Sequence, residues 1–135
     1  MKKLVAGLMV AASLMSFGCS GRNAEFGVVD MRKVETEAVS LKTIRDDANK
    51  QMSELQANAM KDLAGKTGEE AQKINGEYEA KARLIQSEAQ NKFKSAVDSA
   101  LNAVAKEKNL SAILYKDAVP SGGKDVTQDI IDKMK

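Results

Sequence analysis

Between Gly27 and Gly65 the chain holds neither glycine nor proline, and Pro120 is the one proline among its 135 residues. An unbroken run of that length, with apolar residues at helical spacing, points to a long helix. Val34, Ala38, Leu41, Arg45, Ala48, Met52, Leu55 and Ala59 step alternately by four and three, a heptad seam with Arg45 as its polar break. Ile44 and Leu63 lie beside the stripe and widen it, and Lys42, Asp46, Asp47, Lys50, Glu54 and Lys61 occupy the other faces. The spacing predicts a helix over about 34–64, about 45 Å long.

Gly65-Lys66-Thr67-Gly68-Glu69-Glu70 then interrupts the pattern. Gly65 suits the left-handed position just past a helix end. Thr67 and Glu70 have the spacing of a capping box, in which each side chain satisfies a free backbone N–H of the next helix. A stop and a start this close together make a tight helix–turn–helix. The second helix is expected over about 68–108, its apolar side traced by Ile74, Tyr78, Ala82, Ile85, Ala89, Phe93, Ala96, Val97, Ala100, Leu101 and Val104. This stripe is thin and Ala-rich near the turn and bulkier from Phe93 onward. The turn end therefore pairs two slim helices, and the other end must pack against something larger. Gly76 costs about 1 kcal/mol against Ala inside a helix, so either the tip is weakened there or the second helix begins at Glu77.

The hairpin is flanked by β-prone runs. Glu25-Phe26-Gly27-Val28-Val29-Asp30 is the first, and Asp30 is placed to cap a helical turn starting at Met31. Ala112-Ile113-Leu114-Tyr115 follows the break at Asn109. After the Ser121-Gly122-Gly123 loop, Thr127 is a candidate N-cap for a last helix with Ile130, Ile131 and Met134 on its apolar face. The expected class is α+β and mostly helical: a long antiparallel helical hairpin inserted in a small β-strand body. The arm covers about 34–108 and the body about 25–33 and 109–135. Two or three short strands make a poor core alone, so association of several copies is expected to supply the missing burial.

The first residues have the layout of a bacterial export signal. Lys2 and Lys3 precede an apolar Leu4–Met15 segment too short to span a bilayer, and small residues follow. The alternative is a short membrane anchor that stays attached. Those two lysines account for the net charge of +2, so the 21 basic residues fall to 19 against 19 acidic ones once the segment is set aside. A neutral chain argues against a nucleic-acid partner. With no His and Cys19 as the lone Cys, neither an intrachain disulfide, a Cys–His pair nor a His/Cys metal cluster is available. The acids sit on solvated helix faces, so no catalytic residue, no metal site and no cofactor is expected, and the chain does not read as an enzyme. Cys19, followed by Ser20-Gly21, resembles a bacterial lipoprotein processing site whose Cys is acylated. Ser16 stands where such sites usually carry an aliphatic residue, and Ser16-x-Gly18 also suits the ordinary signal peptidase, so acylation and removal of Cys19 both stand. The signal covers 1–19 on either reading.

The order of parts, with certain residues, resembles the Skp (OmpH-like) family of periplasmic chaperones over a domain of 20–135. Val28-Val29-Asp30-Met31-Arg32-Lys33-Val34 is similar to the family's first strand and the start of the helix after it. Val104 to Leu110 and Ile113-Leu114-Tyr115 resemble the end of its long helix and its second strand, and Asp125-Val126-Thr127-Gln128-Asp129-Ile130-Ile131 its closing segment. The resemblance implies a homotrimer in which a small β-barrel is completed by all the chains and the helical arms enclose unfolded outer-membrane proteins. On that expectation Met52, Met60, Leu63, Ile74 and Tyr78, toward the arm tip, are the candidate client-binding residues, Met being suited to promiscuous contact. The plainer reading is that they only close the hairpin seam. A structural or scaffolding envelope lipoprotein, attached to a membrane through Cys19, is the alternative function.

Overall fold

The computed structural model describes residues 25–135; the signal segment and Cys19 lie outside the described residues. The chain forms β1 (Phe26–Val29), α1 (Met31–Glu37), α2 (Val39–Leu63), α3 (Gly68–Glu107), β2 (Ala112–Tyr115), a short 3-10 turn (Lys116–Ala118), β3 (Lys124–Asp125) and α4 (Thr127–Lys133). It is mostly helical, with a long hairpin of α2 and α3 and a small three-stranded sheet in the order β2-β1-β3.

The sheet is parallel throughout. Phe26 registers against Ala112 and Val29 against Tyr115 on one side, and Gly27 against Lys124 on the other. Parallel strands need a long crossover, and here the crossover from β1 to β2 is the whole hairpin. The central strand is buried at Val28 and Val29, as its unalternated apolar run requires. Gly27 is needed at its position: a Cβ there would come within 2.9 Å of Leu110 Cδ1 and 3.1 Å of Val126 Cγ2. Gly123 adopts φ +84°, and a Cβ on it would meet the Phe26 ring at 2.6 Å.

One core ties the sheet to the root of the hairpin. Val29, Val34, Leu41, Val104, Val126 and Ile130 are its largest fully buried side chains, drawn from β1, α1, α2, α3 and the start of α4. Asp30 caps α1 as expected, its Oδ1 accepting from the Arg32 and Lys33 N–H groups at 3.1 and 3.3 Å. At the same root, where the chain leaves α3, Asn109 takes φ +53°, the Leu110 N–H donates to the Ala105 carbonyl at 2.9 Å, and the Asn109 N–H donates to the Lys106 carbonyl. Those two bonds are a Schellman stop, with Asn in the place glycine often takes.

The structure corrects the sequence reading at four places. The first helix is not continuous over 34–64: Ala38, a strong helix former, has an extended ψ of 121° and separates α1 from α2. The cause is tertiary. Ala38 is fully buried, and the Ser40 N–H just beyond it donates to the Met134 carbonyl at 2.8 Å, so the end of α4 supplies an acceptor to the start of α2. The seam is not a heptad, and Arg45 is exposed. Leu41, Ile44, Ala48, Met52, Leu55, Ala59 and Leu63 are the more buried positions of α2, stepping three, four, four. Ala71, Ile74, Tyr78, Ala82, Ile85, Ala89 and Phe93 step identically along α3. That is an 11-residue repeat of about 3.67 residues per turn, which does not impose the left-handed supercoil of heptads.

The expected capping box at Thr67 and Glu70 does not form. Thr67 occupies the N-cap position without a side-chain hydrogen bond, and Glu70 instead accepts from Lys66 Nζ at 2.5 Å. Thr127 is the first residue of α4, not its cap. Its hydroxyl accepts from the Asp30 N–H at 3.0 Å, and its own N–H donates to Asp125 Oδ1 at 2.9 Å. This clamp joins the end of β1 to the start of α4.

The clamp generates a pH-dependent prediction. The Thr127 hydroxyl, then its N–H, then Lys116 hold the Asp125 carboxyl below its ordinary 3.8. A carboxylate with a lowered folded pKa contributes stability that is present above its unfolded pKa and lost as pH falls through the folded one. Thr127→Val leaves the Asp30 N–H without its partner and is expected to cost about 1–2 kcal/mol at neutral pH. In urea titrations the gap between parent and variant should narrow as pH falls below the ordinary 3.8 and through the lowered folded pKa of Asp125.

Candidate functional site

The turn end of the arm is the place where apolar side chains outnumber the helix surface that could cover them. α2 and α3 meet there at Ala59, Ala71 and Ala82, and the larger seam residues beside these small side chains are only half-buried. Met52, Leu63, Ile74 and Tyr78 all fall on the seam and are half-buried; Met60 lies off it and is 71% exposed. Of these candidates the structure brings Met52 and Tyr78 together. They line a shallow open groove of about 390 Å³ with Leu55, Gln56, Ala59, Asn75, Glu79 and Ala82.

Tyr78 is fastened where it stands. Its hydroxyl donates to Asp62 Oδ2 across the hairpin at 2.6 Å, and Lys81 Nζ lies 4.8 Å from the ring centroid. The bond to Asp62 favours the protonated phenol and, with desolvation and the Asp62 charge, raises its pKa above the ordinary 10.0. The ring thus presents an apolar face between charged neighbours. Leu84, which the apolar stripe did not include, is 58% exposed on α3 and adds a second apolar point on the arm's outside.

A larger groove, of about 710 Å³, opens at the root of the arm, where the ends of β1 and β2 meet α3. Met31, Phe93, Val97 and Tyr115 supply its apolar lining, and the Arg32–Asp117 ion pair at 3.1 Å lies on its border. Sequence reasoning noted the bulk of Phe93 but did not assemble this groove. Its lining comes from five elements, β1, α1, α3, β2 and the 3-10 turn, and only the parallel register of β2 brings Tyr115 to α3. Beside it, β2 is the edge of the sheet, with Leu114 and Tyr115 44% and 58% exposed.

Among the described residues no group of three or more His, Cys, Asp or Glu side chains could hold a metal ion, and no helix is long and apolar enough to cross a membrane. Both grooves offer contact area bordered by charge. The lipidation candidate, Cys19, lies outside the described residues.

Gly76 gives a direct test of the arm. α3 runs through it without a break from Gly68, so the second helix does not wait for Glu77. A Cβ at Gly76 would meet nothing within 4 Å. Gly76→Ala is therefore expected to stabilise the arm by about 0.5–1 kcal/mol, read as a higher denaturation midpoint with unchanged helical content. A loss of stability would show that the position is used for close packing. No family model matches this chain, and no curated protein matches it.

Proposed function

We propose that this protein is an ATP-independent holdase of the bacterial periplasm, which binds unfolded outer-membrane or other envelope proteins along its hairpin arm and keeps them from aggregating. The observation that carries the reading is the incompletely covered apolar surface toward the tip, where Met52 and Tyr78 share an open groove and Met60 is exposed. A holdase needs such surface, adaptable and weakly binding, and needs no catalytic group. The resemblance of the chain's two ends to the Skp family supports the same reading, and the signal-like layout of the first residues supports a periplasmic location. Release is passive, driven by the client's own folding or insertion.

The working form in this proposal is a homotrimer with a shared β-barrel. Its support is the sheet itself: three short strands with unpaired edges at β2 and β3, and apolar Leu114 and Tyr115 exposed on β2. Exposed edges of that kind invite pairing with another chain. Light scattering on the mature chain is expected to give three times the chain mass of the monomer; a well-folded monomer would overturn the shared barrel. With that assembly intact, Met60→Ser, Leu63→Ser and Tyr78→Ser combined should suppress the aggregation of an unfolded outer-membrane protein markedly less well than the parent. Equal suppression by parent and variant would make the tip residues purely structural.

The second reading, a scaffolding lipoprotein with a coiled-coil arm, is favoured by one observation. Four of the five tip candidates lie on the hairpin seam, where packing alone accounts for them. It prevails if the parent suppresses no aggregation. The scaffolding reading includes acylation of Cys19, which would hold the protein at a membrane; the holdase reading is compatible with acylation or with removal of Cys19. Mass spectrometry of the native N-terminus should find an acylated Cys19; an unmodified Cys19, or a chain beginning after it, excludes the anchor.

A further inference from the structure

We infer that Asn75 is a site of spontaneous covalent modification, at which the Gly76 backbone nitrogen closes onto the Asn75 side chain, and that opening of the first turns of α3 sets its rate. This stands apart from the holdase reading and holds for either function. Asn75 is the one asparagine of the chain that a glycine follows, and no aspartate precedes a glycine. With no Cβ on the following residue, its peptide nitrogen reaches the side-chain amide carbon with little hindrance. The Gly76 nitrogen bonds to Asn75 Cγ and the Cγ–Nδ2 bond breaks. The proton of the Gly76 N–H leaves with the amide nitrogen as ammonia, and a cyclic succinimide remains. Water then opens the ring at one or the other carbonyl, giving aspartate or isoaspartate. Water is the only other reactant, and nothing is oxidised or reduced.

An intact helix forbids the attack. It holds the Gly76 N–H on the carbonyl four residues back and fixes the Asn75 backbone where that nitrogen cannot approach its own side chain. The start of α3, however, is weakly held. Thr67 stands at its N-cap without a side-chain hydrogen bond, and Gly68 takes φ +62°, outside the right-handed helical region. Between Gly68 and Asn75 only Ala71 and Ile74 are even half-buried. The Lys66–Glu70 pair is exposed and adds little, and Gly76 itself lowers helix stability. The first firm link across the hairpin beyond these residues is the Tyr78 hydroxyl on Asp62 Oδ2 at 2.6 Å. Residues 68–77 therefore lie between a poorly capped helix start and that bond, and they open while the rest of the arm stays paired. Asn75 and Gly76 are both exposed, and nothing lies within 4 Å of a Cβ built on Gly76, so no neighbouring side chain obstructs the ring. The product changes the tip groove, which Asn75 lines together with Glu79. Aspartate there sets a second negative charge four residues before Glu79, an unfavourable pair on a helix. Isoaspartate also adds a methylene to the main chain of α3.

The test incubates the folded protein at neutral pH and physiological temperature, with a second sample in urea. Samples taken over weeks are digested, and isoaspartate is located by mass spectrometry with an isoaspartyl methyltransferase as the probe. Asn58, exposed on α2 and followed by Ala59, is the internal reference. Modification at Asn75 is expected several-fold faster than at Asn58 and slower than at Asn75 in urea. Tyr78→Phe, at unchanged helical content by circular dichroism, should speed it several-fold by removing the bond to Asp62. Gly76→Ala should bring it down to the level of Asn58. A folded parent that modifies Asn75 no faster than Asn58 overturns the site. A rate in Gly76→Ala equal to the parent's overturns ring closure through Gly76. A rate unchanged by Tyr78→Phe, or equal in the folded protein and in urea, overturns control by the opening of α3.

Discussion

The parallel pairing of β1 with β2 is the constraint on which the rest of the molecule depends. Register of Phe26 against Ala112 brings together two points separated by the entire arm. Closing so long a loop is entropically costly, though the cost grows only slowly with its length. Two four-residue strands cannot offset it alone. The offset comes from the core behind the strands, where Val29, Val34, Leu41, Val104, Val126 and Ile130 are buried together. Gly27 lets Leu110 lie directly on β1, and the Asp30–Thr127–Asp125 hydrogen bonds hold α4 against the same strand. The sheet sets the geometry and the helices supply the burial.

The arm is built on a different economy. Its seam is half-buried from Ile44 to the turn, with no fully buried side chain along that length. Each step of the 11-residue repeat adds a similar small contact, so the arm's stability is local and falls toward the turn, while that of the body is cooperative. The exposed ion pairs on the arm, Lys66–Glu70 from the turn and Arg83–Glu79 within α3, add little to this, as surface pairs do. Arms of this kind leave apolar surface accessible without exposing the core that keeps the protein folded. That division between a fixed body and a thinly packed arm is the physical basis of the holdase proposal, and equally of a scaffold that needs reach more than mass.

The hairpin, its turn and the flanking strands were legible in the residues because each has a local cause. Thirty-seven residues without glycine or proline before Gly65 make a helix, Gly65 at φ +77° ends it, and the runs Phe26–Val29 and Ala112–Tyr115 are β-prone. The tip candidates could be named for the same reason, as apolar residues at helical spacing. Helical spacing alone does not separate a three-four-four step from a three-four step over a few turns. The heptad reading therefore puts Arg45 on the seam as its polar break and Ile44 only beside it, and packing against Ile85 and Ala89 of the facing helix, around a small cleft shared with Ile44, decides which points inward.

What the sequence by itself determined is the hairpin with its turn, the strands β1 and β2 and the last helix, since helix formation, chain reversal at glycine and strand preference act over a few residues; β3 and the division of the first helix into α1 and α2 were not among them. What only the tertiary structure decided is where those elements meet. Ala38 breaks a helix that propensity would continue, because α4 offers the Met134 carbonyl to the Ser40 N–H. Thr127 gives its hydroxyl to Asp30 and not to its own helix, because β1 ends beside it. Thr67 and Glu70 have the spacing of a capping box, yet Glu70 pairs with Lys66 across the turn. The groove of Met31, Phe93, Val97 and Tyr115 has no sequence signature. Its residues lie far apart in the chain, and a contact between such residues depends on the parallel register of the sheet, a long-range choice that no local preference encodes.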